Sequence, residues 1–129
     1  KPLVLSGCSG VIVSSSVIAS SIGNSTIGSY TVTTTTAAAG QILAEVSSST
    51  SRAVEFFVKG EEVVGGKYSV ATVVAVHNGT DIAYDVYGTL NIGGYTGSLG
   101  VNRAGGSIQL IVTPATSDST VWTTQYKTI

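Results

Sequence analysis

The chain has 129 residues, of which 43% are hydrophobic and only 10% charged, and its formal net charge is −1. That length suits one domain with a continuous core, while the near-neutral charge excludes the basic footprint that nucleic acid or an anionic membrane surface would require. Ser, Thr, Gly, Val and Ile take the place of the usual charge, a composition that favours short strands joined by glycine turns over helix.

Cys8 is the single cysteine, so no intramolecular disulfide is expected and the fold must rest on its core, as suits a reducing cytosol. Leu5-Ser6-Gly7-Cys8 has the form of a lipoprotein cleavage site, but the apolar stretch before it falls short of a signal core of about 7 to 15 residues. No apolar run approaches the roughly 20 residues of a membrane-spanning helix. A surface so poor in charge leaves edge strands without gatekeepers. It reads equally as a free Ser/Thr-rich surface or as a surface covered in an oligomer.

From Val11 to Thr36 no residue is charged, and Gly23-Asn24 and Gly28-Ser29 read as breaks. Val11 and Val13 share one face of an extended segment, and Tyr30, Val32 and Thr34 share another. Residues 1–40 are therefore expected to form a β-rich extended arm or assembly segment, ended by Ala37 to Gly40. Residues 41–129 are expected to form an antiparallel β-sandwich of about six to eight strands.

Within that sandwich, Gln41 to Ser47 and Arg52 to Val58 read as strands, the second with Val54, Phe56 and Val58 on its core face. Gly60 and Gly65-Gly66 frame a loop around Glu61 and Glu62. The strongest local signal is Tyr68 to His77, then Asn78-Gly79, then Thr80 to Leu90. Asn-Gly is the preferred pair for a type I′ turn, whose central residues both need positive φ. A two-residue loop sets His77 opposite Thr80, Ala75 opposite Ile82, Val73 opposite Tyr84 and Ala71 opposite Val86, with the Val73, Ile82, Tyr84, Val86 face inward.

Further along, Gly93-Gly94 and Gly97 bound a loop carrying Tyr95, and Ser98 to Arg103 reads as a short strand. Gly105-Gly106 makes the next turn. Ser107 to Thr113 alternates, with Ile108, Leu110 and Val112 on one face, and Pro114 ends it for want of an amide hydrogen. Thr120 to Ile129 is the last strand, with Trp122 partly buried.

Candidate chemistry is sparse. His77, the only histidine, sits beside a tight turn and on the opposite face from Asp81, which argues against a His-Asp couple. Cys8 and His77 alone cannot supply a structural zinc site. Asp81 and Asp85 share a strand face but lie about 14 Å apart, too far to hold one calcium ion by themselves. Glu61-Glu62 reads as a solvated loop tip. The glycine pairs lead into strands rather than a phosphate-binding helix. Asn24-Ser25-Thr26 and Asn78-Gly79-Thr80 match the glycosylation sequon, the second being better explained by turn geometry. No catalytic, metal-binding or cofactor-binding residue, and no cofactor, is expected. Asp85, Tyr87 and Tyr95 are the candidates for glycan contact, since exposed rings beside carboxylates make a carbohydrate platform. The competing reading, which the sequence favours, is that Tyr87 packs on another sheet or subunit and Tyr95 decorates a loop.

The stretch VVAVHNGTDIAYDVYGTL, then GSLG, AGGSIQLIVTPATSDSTVW and a terminal KTI resembles a virion module of tailed bacteriophages, especially cyanophages, described as tail-fibre-like or structural. The matching positions are His77 to Thr80, Tyr87-Gly88, Gly105-Gly106, Val112 to Ala115 and Lys127 to Ile129. The resemblance covers about Ser49 to Ile129. Asn91 to Tyr95 depart from it, as do Asn102-Arg103, where the family usually carries acidic residues. It implies a non-enzymatic virion protein, a tail appendage, fibre component or capsid decoration, contacting other virion proteins and itself. A homo-oligomer is expected, with a trimer the form that suits a fibre. The alternative is a host-surface receptor- or carbohydrate-binding module.

Overall fold

The computed structural model describes residues 21–22 and 25–129, so the expected faces of Val11 and Val13 and the break at Gly23-Asn24 lie outside the described residues. The strands among them are β1 (Ser21–Ile22), β2 (Ser25–Thr34), β3 (Gln41–Ser47), β4 (Ala53–Glu62), β5 (Lys67–His77), β6 (Ile82–Ile92), β7 (Gly97–Ala104), β8 (Ser107–Pro114) and β9 (Thr120–Thr128). All pair antiparallel, in a large sheet ordered β1-β2-β9-β4-β5-β6 and a small one ordered β3-β8-β7. The two make the expected all-β sandwich.

Alternation along the strands builds the core. Val54, Phe56 and Val58 of β4 and Val73 and Ala75 of β5 face Ile108, Leu110 and Val112 of β8, with Leu43 and Val46 of β3 and Val101 of β7 closing the sides. Burying such side chains contributes about 1.5–3 kcal/mol each. Trp122 goes further than expected: only 2% exposed, it is among the largest fully buried side chains. Its indole N–H donates to Thr34 Oγ1 at 2.9 Å, which satisfies the one polar atom the ring brings inside.

The boundary expected at residue 40 does not separate an arm from the sheet. From Ile27 to Thr34, β2 pairs residue for residue with β9, so this segment is an integral strand. Neither Gly28 nor Gly60 is a break. A Cβ on Gly28 would lie 2.4 Å from Tyr126 Oη and one on Gly60 2.6 Å from Trp122 Cζ3. Each glycine lets an aromatic ring of β9 lie flat over the neighbouring strand. Consequently β4 runs on through Glu62, which pairs with Lys67.

The β5–β6 hairpin corrects the expected register. His77 pairs with Ile82, Ala75 with Tyr84 and Val73 with Val86, a slip of two residues that preserves the faces. The connection is four residues long. Only Gly79 takes positive φ, at 100°, and no non-glycine residue does, so Asn78 cannot occupy a type I′ turn. Instead Asn78 Oδ1 accepts the amides of Thr80 (2.9 Å) and Asp81 (2.7 Å), and His77 Nδ1 accepts that of Gly79 (3.1 Å). These side-chain acceptors replace the ladder bonds of a tighter turn. The two-residue turn with both central residues at positive φ occurs between β7 and β8, at Gly105 (58°) and Gly106 (85°).

Later in the hairpin the register shifts opposite Ala71, where Gly88 at φ 65° carries a glycine bulge. That bulge puts Leu90 and Ile92 on the same face as Tyr87.

Candidate functional site

With the small sheet covering the inner face of the large one, no other described residue covers the outer face of the large sheet. Its rows follow from the pairing. Lys127, Glu55, Val74 and Asp85 lie side by side across β9, β4, β5 and β6, and the next row is Gln125, Phe57, Thr72 and Tyr87. Beyond it lie Thr123, Lys59, Val70 and Leu90, then Val121, Glu61, Tyr68 and Ile92. At the hairpin end, Ala53, Val76 and Ala83 form a further row.

This face is unusually apolar for a surface. Leu90 and Ile92 are 70% and 71% exposed, Val76 53%, and Phe57 and Tyr87 47% each. Contiguous apolar exposure of this kind marks an interaction site more often than a bare monomer surface. Two hollows shape it. One, of about 550 Å³, has a floor of Ala53, Val74, Val76 and Ala83 and a rim of Glu55, Asp85 and Lys127. The other, of about 440 Å³, lies among Tyr68, Val70, Leu90 and Ile92, beside the Lys59–Glu61 ion pair (2.7 Å). At its margin lies β6, 11 residues long, which among the described residues pairs with β5 alone and forms one edge of the large sheet.

Of the three glycan-contact candidates, Asp85 and Tyr87 share this face, two residues apart on β6. Tyr95 is not with them. It lies in the β6–β7 loop and lines a small cavity with Val58, Ala71, Leu99 and Trp122, on the inner side of the large sheet. Leu90 and Ile92 are the surface residues that sequence reasoning missed. Phe57 lies outward, as expected from the core face set by Val54, Phe56 and Val58. Leu90 and Ile92 depend on the Gly88 bulge.

His77 and Glu62 are both buried, and Glu62 differs from its sequence reading. His77 is 4% accessible, with Nε2 donating to the Ser51 carbonyl at 2.7 Å and Nδ1 accepting from Gly79. Both ring nitrogens are thus committed to the backbone, and the side chain ties the hairpin tip to the segment before β4. Asp81 remains exposed in the loop, as the opposed faces required. Glu62 is no solvated tip: it is 1% exposed, accepting the Thr116 hydroxyl on Oε1 and facing Lys67 Nζ at 3.5 Å from Oε2. A Cβ at Gly65 would clash with Oε2, so the carboxylate is packed against that glycine. Among the described residues no three His, Cys, Asp or Glu side chains gather as metal ligands do.

No protein-family model matches the chain, and no curated protein does. Among solved structures it is similar to the tailspike protein gp49 of the Acinetobacter baumannii bacteriophage Fri1, a capsular polysaccharide depolymerase. The TM-score is 0.44 and the identity 5%, over 81% of this chain and 18% of that one. The chain thus spans under a fifth of the tailspike's length, and a likeness this shallow carries no inference about activity.

Proposed function

We propose that the chain is a non-enzymatic structural module of a bacteriophage particle, a tail appendage or fibre component or a capsid decoration protein, acting through subunit contacts. The observation that carries the reading is the outer face of β4, β5 and β6, an apolar surface on strands whose other face already has a complete core. A monomer has no use for Leu90, Ile92 and Tyr87 side by side in water, whereas a subunit gains about 25 cal/mol per Å² of apolar surface it covers. The sequence resemblance over Ser49 to Ile129 supplies the virion setting. The commitment of both His77 nitrogens to backbone groups supports a structural role over catalysis. Its site of action is then the virion, assembled in the host cytoplasm, with other virion proteins and further copies of itself as partners. Gold-labelled antibody against the chain, applied to purified particles, is expected to decorate one fixed position. Particles that carry no label and no peptide of the chain by mass spectrometry would sink the proposal.

A second reading, a host-surface carbohydrate-binding module, is favoured by one arrangement: Tyr87 and Asp85 two residues apart on the outer face of β6, with Asp85 at the rim of the larger hollow together with Glu55. A glycan array is its test, with binding lost in Tyr87→Ala. A blank array removes it.

A further inference from the structure

We infer that the outer face of the large sheet docks a second copy of this chain, face to face, about a two-fold axis running along the strands between β4 and β5. The inference rests on the reading of the chain as an assembly module and names the partner that its face takes. Area is the first argument. Four strands, β9, β4, β5 and β6, at about 4.8 Å spacing and about 34 Å in length, overlap over a footprint of about 650 Å². Counted on both partners this is about 1,300 Å², within the roughly 1,200–2,000 Å² of a standard specific interface. Face-to-face packing of two sheets is the arrangement by which this protein already builds its own core.

Charge is the second argument, and it selects both partner and register. The face carries Glu55, Glu61 and Asp85 against Lys59 and Lys127. This near-neutral mixture does not repel its own copy and offers nothing distinctive to a polyanion. With the axis centred on β5, Asp85 would meet Glu55 of the other copy, a like-charge contact. With the axis between β4 and β5, the row Lys127, Glu55, Val74, Asp85 is reversed onto itself. Lys127 then meets Asp85 of the other copy twice, once on each side of the axis. In the same register Gln125 covers Tyr87, and Thr123 and Val121 come over Leu90 and Ile92, the most exposed apolar side chains of the face. Such a contact is isologous and closes on itself.

The test uses the full chain and light scattering coupled to size exclusion. The wild-type protein is expected to be a dimer at about 50 µM, since interfaces of this size range from micromolar to picomolar. Leu90→Asp is expected to give a monomer with an unchanged circular dichroism spectrum, because its side chain lies in solvent in the single chain. Lys127→Glu and Asp85→Lys are each expected to weaken the dimer by about tenfold or more. Mixing those two variants restores it, because in the mixed dimer the two substituted positions face each other with opposite charges and the native Asp85 of one chain faces the native Lys127 of the other.

A wild-type monomer at that concentration overturns the inference, as does a dimer unaffected by Leu90→Asp. A monomer whose glycan binding is lost in Leu90→Asp assigns the face to a carbohydrate instead. A monomer in which that variant exposes residues 1–20 to protease assigns it to the chain's own amino-terminal segment. Either result also overturns the inference. Particle labelling separates this from the broader reading: a monomer that still enters particles refutes only self-docking, and a dimer absent from particles refutes only the virion role.

Discussion

Gly60 of β4 lies beneath the indole of Trp122 on the paired strand β9, so close that a Cβ at residue 60 would stand 2.6 Å from Cζ3 and 3.0 Å from Cε3. The ring belongs to the core cluster, with Val58 of β4 near it and β7 close on its far side, where a Cβ at Gly97 would stand 3.3 Å from Cη2. Gly60→Ala is therefore expected to destabilise the fold by about 1–3 kcal/mol despite adding a single methyl group. Trp122 is the only tryptophan, so chemical denaturation followed by its fluorescence reads the change directly. A variant as stable as wild type would show that the ring can shift at no cost.

The Trp122–Thr34 hydrogen bond joins β9 to β2, although the two residues are far apart in sequence. Trp122→Phe and Thr34→Val are each expected to cost about 1–3 kcal/mol, since each leaves a buried polar partner unpaired or opens space beside it. The double variant should cost less than the two single losses added together. Strict additivity in urea denaturation would mean the bond contributes nothing.

At the hairpin tip the ranking of variants separates the observed four-residue connection from the tighter turn. His77→Ala removes both the acceptor for Gly79 and the donor to Ser51, and is expected to cost about 2–4 kcal/mol. Asn78→Ala removes one side-chain acceptor in solvent and should cost about 1 kcal/mol, as a lost cap does. Equal losses at the two positions in thermal unfolding would contradict this geometry.

Gly105 and Gly106 make the opposite case. Both hold positive φ, so alanine at either position is expected to cost about 1–2 kcal/mol. Gly105→Asn instead installs the favoured Asn-Gly pair and should leave the melting temperature unchanged or slightly raised. A large loss from Gly105→Asn would show that this turn is not of the primed type.

Much of the sandwich was legible in the chain because strand alternation is a local property. The core faces Val54-Phe56-Val58 and Ile108-Leu110-Val112 follow from a period of two, and the structure buries all six. The turn at Asn78-Gly79 was legible in place but not in type, because His77 and Asn78 side chains outcompete the backbone for the loop amides. Glu62 was misread for a related reason: its burial depends on Thr116 and Lys67, residues brought to it by the fold. On the candidate face, Asp85 and Tyr87 could be placed together from their spacing, whereas Tyr95 left them once its loop turned inward over Trp122.

The sequence by itself determined the fold class, the inward residue of nearly every strand and the low charge of the chain, since all three depend on composition and period. Only the tertiary structure decided which glycines are turns and which make room for a ring, that β2 belongs to the sheet, and that among the described residues β6 lies at its edge. Those facts arise from pairing between segments distant in the chain. The same pairing, with the bulge at Gly88, turns Leu90 and Ile92 outward beside Tyr87 and so creates the face on which the proposed function rests.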